Sequence, residues 1–367
     1  MKKISLALLV SSILVTSTFA QDIASKDLQQ LLNERNISAI QNIIMQEPDN
    51  GEAYYMASIY YGIGDDELGT NKDEAKKEEY LQKSADLGVS KAELDYGFLM
   101  LEKGNADVAL QYMTRAAGKN DLKAIESLGD LYFTGYKRED GAEILPSDLA
   151  KSIEYLSKGI SLGSKDAQYT LAHIYFEPSF GYHDEAKALS MFEKNIDYVN
   201  KTGHMRSIVS LIGIYESDSN SEKYEKKLID LYYLASLQGL PQAFYKVGLL
   251  QRVGAEGDQL NIAKDPEAAF VNLEQAAKLG YVDAMFRIGE MYFKGEGAQQ
   301  SDMNAYIWMA IAEDLSGNKT NYSETILELI PKRQRQITID NKNHYRQFFT
   351  MPKAGSSANS ASNIQVQ

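Results

Sequence analysis

Two short motifs in this chain have the composition of nucleophilic catalysis. Ser316-Gly-Asn-Lys319 matches Ser-x-x-Lys, and Lys201-Thr-Gly203 matches Lys-Thr-Gly. Together such motifs build active-site-serine enzymes that open β-lactams. Here their order along the chain is reversed, and each falls where a helix is expected to end. Both therefore read as helix-terminus chemistry. The acidic pairs Asp65-Asp66 and Glu78-Glu79 have the residue type for general acid and base work. Nothing in the sequence sets two carboxylates across a cleft, so they read as solvated faces. The four histidines, His173, His183, His204 and His344, form no His-Glu-x-x-His or related metal spacing. No phosphate-binding loop, dinucleotide fingerprint or Gly-x-Ser-x-Gly elbow occurs. The chain has no cysteine, which excludes disulfides, thiolate metal sites and a lipid-anchoring cysteine. The expectation is a protein without catalytic residues, metal or cofactor.

The elements around these residues are set by an internal period of roughly forty residues, in the range of helical repeats. Ala243-Phe-Tyr-Lys-Val247-Gly248 returns as Ala284-Met-Phe-Arg-Ile288-Gly289-Glu-Met-Tyr292. Earlier copies run from Ala124 through Leu128-Gly129 to Tyr132, and from Ala167 through Leu171-Ala172 to Tyr175. The first helix of each copy, helix A, opens with a small residue: Ala53, Ala92, Ala124, Ala167, Ser207, Ala243 or Ala284. An apolar-plus-small pair follows, and then an aromatic such as Tyr61, Tyr132, Tyr175, Tyr215 or Tyr292. These offsets share one helical face. Small residues let another helix come close, and the aromatic fills the wedge beside it.

The second helix, helix B, carries Tyr80, Tyr112, Tyr155 or Trp308, with Ser84, Ala116, Gly159, Ala235, Ala276 or Ala312 on the same face. It is expected to stop at Gly88, Asn120, Gly163, Gly203, Gly239 and Gly280, residue types that accept a left-handed cap. Asp265-Pro266-Glu267 supplies a helix start, and Asn71-Lys-Asp-Glu74 has capping-box spacing. The A–B loops are long at Gly135–Ser147 and Gly254–Asp265 and tight at Gly104–Asp107. The copy around 184–203 is irregular.

The pattern A-x3-L-G-x2-Y-x2-G followed by A-x2-W/Y-x3-A-A-x2-G resembles the Sel1-like repeats, tetratricopeptide-like helix pairs with longer A–B loops. Residues 243–280 and 284–316 carry it best. The resemblance covers about 51–320 in seven copies and implies an all-α, right-handed solenoid. It further implies adaptor roles in envelope complexes. Cysteine-rich relatives have been linked to β-lactam binding, a link the absence of cysteine weakens.

Domain organisation follows. Lys2 and Lys3, the apolar run Ile4–Val15 and Thr18-Phe-Ala20 read as a signal peptide over 1–20. Capping helices are expected over 21–50, the repeats over 51–320, a C-terminal helical cap over 321–349 and a disordered tail over 350–367. The formal charge is −13, or −15 without Lys2 and Lys3. Such a surface repels nucleic acid and anionic lipid, and no segment after the leader is long enough to span a bilayer. The expected location is the periplasm or the exterior.

If helix A lines a concave face, positions two, six and nine after its opening residue point inward. They give a stripe of Phe98, Asp130, Phe133, Tyr169, His173, Phe176, Tyr245, Arg252, Phe286, Glu290 and Phe293. Tyr55, Ile59, Leu94, Leu101, Glu126, Val209, Glu216 and Leu249 fall on the same register. Rigid aromatics among a few charges suit a groove for a protein or peptide, or for a glycan. Aromatics at this spacing also pack between repeats, and the exposure of Phe98, Phe133, Phe176, Tyr245 and Phe293 separates the two cases. The function expected is an exported, non-enzymatic interaction scaffold of the bacterial envelope. The alternatives are a cell-wall enzyme or β-lactam-binding protein, and a glycan- or peptidoglycan-binding module.

Overall fold

The computed structural model describes residues 28–34, 36–63, 72–218, 221–317 and 320–349. The leader, Asp65-Asp66, Asn71, Lys319 and the tail 350–367 lie outside the described residues. The chain forms two compact units that divide between Leu171 and Ala172. Both are helix arrays, and the fold is an all-α repeat solenoid.

Unit 1 begins with α1 (Leu28–Asn33) and α2 (Ile37–Gln46), split at Asn36, whose side chain caps α2. Helix pairs α3 (Gly51–Ile63) with α4 (Glu74–Asp86), α5 (Ser90–Glu102) with α6 (Ala106–Gly118), and α7 (Leu122–Thr134) with α8 (Leu149–Ser161) follow. α9 (Lys165–Phe176) runs across the division. Unit 2 continues with α10 (Glu185–Lys194), α11 (Met205–Ser217) and α12 (Glu225–Leu237). Then come α13 (Pro241–Val253), α14 (Pro266–Lys278), α15 (Val282–Lys294), α16 (Asp302–Ser316), α17 (Tyr322–Leu329) and α18 (Lys332–Arg346). Pro331 breaks the expected C-terminal cap into its last two helices, because proline has no N–H to continue α17.

The repeated small residues sit where helices meet. Ala53, Ala92, Ala124, Ser207, Ala243 and Ala284 are wholly buried. Each is the third residue of its helix rather than the first, since the helix starts two residues earlier than the sequence pattern suggests. The glycine that follows sets the helix spacing. A Cβ on Gly289 would lie 2.5 Å from Met309 Cγ of α16, and one on Gly248 2.6 Å from Leu273 Cγ of α14. Both distances are impossible for real atoms, so close packing within the pair requires glycine.

The signature aromatic of helix A is held three ways. In α7 and α8, the Asp148 N–H donates to the Tyr132 carbonyl at 2.7 Å, and the Asp148 side chain takes the Lys151 N–H at 3.1 Å. The Lys151 Nζ then lies 5.0 Å from the centre of the Tyr132 ring, which stacks on Tyr155 at 5.8 Å. The same construction joins Tyr61, Asp73, Lys76 and Tyr80 in α3 and α4. Asp73 is therefore the cap of α4. In unit 2, Asp184 and Lys187 hold Tyr175 in this manner, with Nζ 3.8 Å from the ring centre.

Five of the six expected stops are left-handed: Gly88, Asn120, Gly163, Gly239 and Gly280 have φ of 86°, 62°, 89°, 88° and 90°. Gly203 is not. α10 ends early at Lys194, and an antiparallel ribbon, β3 (Ile196–Asp197) and β4 (Thr202–Gly203), follows it. The buried Asn195 side chain donates to Ser207 Oγ at 2.9 Å, and the Asn195 backbone carbonyl takes the His204 N–H at 3.1 Å. That clamp replaces the usual cap. Lys201-Thr-Gly203 therefore belongs to a ribbon rather than to a helix terminus.

The two long A–B loops also contain ribbons. β1 (Tyr136–Lys137) pairs with β2 (Glu143–Leu145), and β5 (Ala255–Glu256) with β6 (Asn261–Ile262). The second hangs from Asp230 of α12, whose buried carboxylate accepts the Gln259 and Leu260 N–H groups at 2.8 and 2.9 Å.

Candidate functional site

None of the candidate catalytic motifs assembles into a site among the described residues. The Ser316 hydroxyl donates to the Ala312 carbonyl at 2.8 Å, within its own helix, and Gly317 follows with a left-handed φ of 68°. Glu78 pairs with Lys103. No group of three or more histidine, aspartate or glutamate side chains gathers in metal-binding geometry among the described residues.

The helix-A stripe divides by unit. In unit 1, Phe98 is half-buried and lines a cavity of about 350 Å³ with Tyr55, Ile59 and Asp95. The Tyr55 hydroxyl donates to Asp95 at 2.7 Å across neighbouring repeats, and burial followed by that carboxylate pushes its pKa upward. Asp130 is exposed and accepts from the Thr170 hydroxyl at 3.2 Å. Phe133 is half-buried. Tyr169 is 7% exposed, so it belongs to the packed interior and not to an open groove.

In unit 2, His173 is half-buried, its ring 5.9 Å from that of Phe180. Burial lowers its pKa, Glu177 opposes that shift and Arg206 reinforces it. Phe176 is half-buried, and its carbonyl lies 3.0 Å from His183 Nδ1. Tyr245 and Phe286 are half-buried, and Phe293 is 37% exposed. None of the five deciding aromatics, Phe98, Phe133, Phe176, Tyr245 and Phe293, is fully buried.

Tyr245, Phe286 and Glu290 meet in a cavity of about 480 Å³. Its remaining walls are Asp283, Arg287, Met309, Thr320 and Tyr322. Three helices, α13, α15 and α16, supply the floor, and Tyr322, 63% exposed at the start of α17, overhangs it. Gly289 positions this site: it lets α16 close on α15, which brings Met309 beside Phe286.

A charge lattice borders the cavity. Arg252 forks onto Glu296 and lies 3.8 Å from Glu290. Glu290 also accepts from Lys294 at 2.6 Å and from Arg287 at 3.1 Å. The Tyr245 side chain beside the Arg287 guanidinium helps to raise the pKa of that arginine. Burial works to raise the Glu290 carboxyl, but the hydrogen bonds from Lys294 and Arg287 outweigh it and hold it below the usual range. Such paired charges fix the aromatic walls without presenting an activated acid or base.

Sequence reasoning located Tyr245, Arg252, Phe286 and Glu290 but missed Asp283, Arg287, Lys294, Glu296, Met309 and Tyr322. The Arg287, Glu290 and Lys294 spacing of three and four residues was a usable signal for a helical charge cluster. Tyr322 had none, because it lies beyond the repeat register.

Comparison with known proteins agrees with this architecture. The sequence profile of the Sel1 repeat matches residues 51–89, 90–121, 123–164, 165–194, 241–281 and 282–316, more than half of the chain. The copy opening near Ser207 lies outside these segments, although it folds as α11 and α12. A Sel1 repeat protein from Oxalobacter formigenes superposes with a TM-score of 0.50 at 20% identity, over 83% of this chain and 82% of that one. Chitin synthase regulatory factor 4 of Schizosaccharomyces pombe is 23% identical over 67% of this chain. Chitin synthase regulator SKT5 of Saccharomyces cerevisiae is 26% identical over 58% of it. The matched parts are 39% and 29% of those two relatives, so this chain aligns with less than half of each. With six repeats matched in register, the chain belongs to the Sel1 repeat family.

Proposed function

We propose that this protein is an exported, non-enzymatic adaptor of the bacterial cell envelope that binds a partner protein or peptide on the helix-A face of its repeats. The observation that carries the reading is the cavity framed by Tyr245, Phe286, Met309 and Tyr322. Half-buried aromatics on rigid helices, ringed by charges already paired with one another, suit an anchoring side chain of a partner. Sel1 repeats serve in general as interaction scaffolds, and the two curated relatives are named as regulators of an enzyme, a role toward another protein. The export part rests on Lys2, Lys3 and the apolar run before Ala20.

The experiment is photo-crosslinking in the native envelope, with a benzophenone amino acid at Tyr322 and, as control, at Val271, which is 54% exposed on α14. A discrete protein adduct at 322 that is lacking at 271 supports the reading. Identical adducts at both positions, or no protein adduct at 322, contradict it.

A further inference from the structure

We propose that the first helices of unit 1 and the last helix of unit 2 are the two halves of a contact between separate copies of this chain. The partner is a second copy, and the contact does not depend on the adaptor reading.

The first observation is charge. Residues 36–63 contain Glu47, Asp49 and Glu52 and no lysine, arginine or histidine. All three carboxylates are exposed, and none forms an ion pair among the described residues. The Glu47 side chain takes only the neutral Asn50 amide, at 2.7 Å. α18 is the opposite: Lys332, Arg333, Arg335, Lys342 and Arg346 face one acid, Asp340, in a chain whose formal charge is −13. Lys342 is paired with Asp314. Arg335 donates to the Ile330 and Glu328 carbonyls and Arg346 to the Phe349 carbonyl, which leaves their positive charge uncompensated. Lys332 and Arg333 are exposed and in no ion pair among the described residues.

The second observation is apolar exposure. Terminal elements of a repeat array ordinarily turn a polar face to water. Here Met45 is 70% exposed beside Glu47, and Ile337 and Phe348 are 55% and 70% exposed on one stripe of α18 and the turn after it. The His344 ring completes that stripe, 5.4 Å from Phe348. Each surface thus pairs exposed apolar side chains with unspent charge of one sign, and the signs are opposite. Two α18 helices facing each other would set like charges together, so a symmetric contact is disfavoured. A heterologous contact joins them instead, and such a contact propagates from copy to copy.

The test is sedimentation of the full chain over a wide concentration range, with helical content matched by circular dichroism. One variant carries Glu47→Lys with Asp49→Lys, and the other Lys332→Glu with Arg333→Glu. All four positions are exposed. The wild-type weight-average mass should rise with concentration, and the association should weaken about tenfold or more between about 0.05 and 0.5 M salt. Each variant alone should be monomeric. Their equimolar mixture should associate again, because one variant then carries two basic surfaces and the other two acidic ones. A wild type that stays monomeric, an acidic-surface variant that associates like wild type, or a mixture that stays monomeric would each overturn the proposal.

Discussion

Arg252 at the end of α13 grips Glu296 just beyond α15 with both arms of its guanidinium, Nε to Oε1 at 2.7 Å and Nη2 to Oε2 at 2.6 Å. This bidentate bond ties one repeat to the next at the border of the aromatic cavity. Arginine suits the position because its planar fork matches a carboxylate, which a lysine does not. Arg252→Lys should keep the charge and lose the fork. The expected result is a fall in stability of about 1 kcal/mol, measured by urea unfolding, with weaker partner binding read in the same variant.

Acid should loosen this border. The Glu290 and Glu296 carboxyls are held below their usual range by their cationic neighbours, with burial opposing the shift in both. A depressed folded pKa contributes stability that is present above the unfolded value and lost as pH falls through the folded one. The stability gap between wild type and a Glu290→Gln, Glu296→Gln double variant should therefore be widest near neutral pH. It should shrink as pH falls below the ordinary carboxylate range. Urea unfolding at pH 7 and at about pH 3 measures it; a gap unchanged by pH contradicts the assignment.

Two glycine substitutions separate backbone strain from steric clash. Gly280 has a φ of 90° and open space where a methyl group would go, whereas Gly289 is helical and would set its Cβ 2.5 Å from Met309 Cγ. Gly280→Ala should cost about 1 kcal/mol through left-handed strain alone and leave the cavity intact. Gly289→Ala should cost about 1–3 kcal/mol through overpacking and also weaken partner binding, since it pushes α16 away from Phe286. Thermal melts and binding assays on both variants distinguish the two mechanisms.

The tyrosine latch makes a matching prediction in unit 1. Removing the cap with Asp148→Ala takes a hydrogen bond from the Lys151 N–H and frees the lysine that lies over Tyr132. A loss of about 1 kcal/mol is expected, together with faster amide exchange in the first turn of α8. Exchange unchanged at Lys151 would mean that the cap does not hold the helix start.

Much of this architecture was legible because the repeat writes the same physical demand several times. Ala284, Ile288 and Gly289 are recognisable from Ala243, Val247 and Gly248, and both sets pack a helix pair. Gly203 misled because only a local clamp at Asn195 turns that stretch into a ribbon, and a clamp used once leaves no period to read. The site was half legible. Phe286 and Glu290 follow from helical register, but Tyr322 approaches from outside the repeats and Arg287 is recruited by Tyr245 of the preceding copy. Tyr169 sits on the stripe yet is buried, since register fixes direction along a helix and not what covers it.

The adaptor role turns on whether a partner protein seats in the aromatic cavity of unit 2. The most direct measurement compares crosslinking through a benzophenone at position 322 before and after Phe286→Ala in the same chain. Phe286 is half-buried in the cavity wall, so its truncation should reduce the adduct about tenfold or more while the fold, checked by melting, persists. An adduct of undiminished yield in a folded Phe286→Ala protein would show that the partner does not use this cavity.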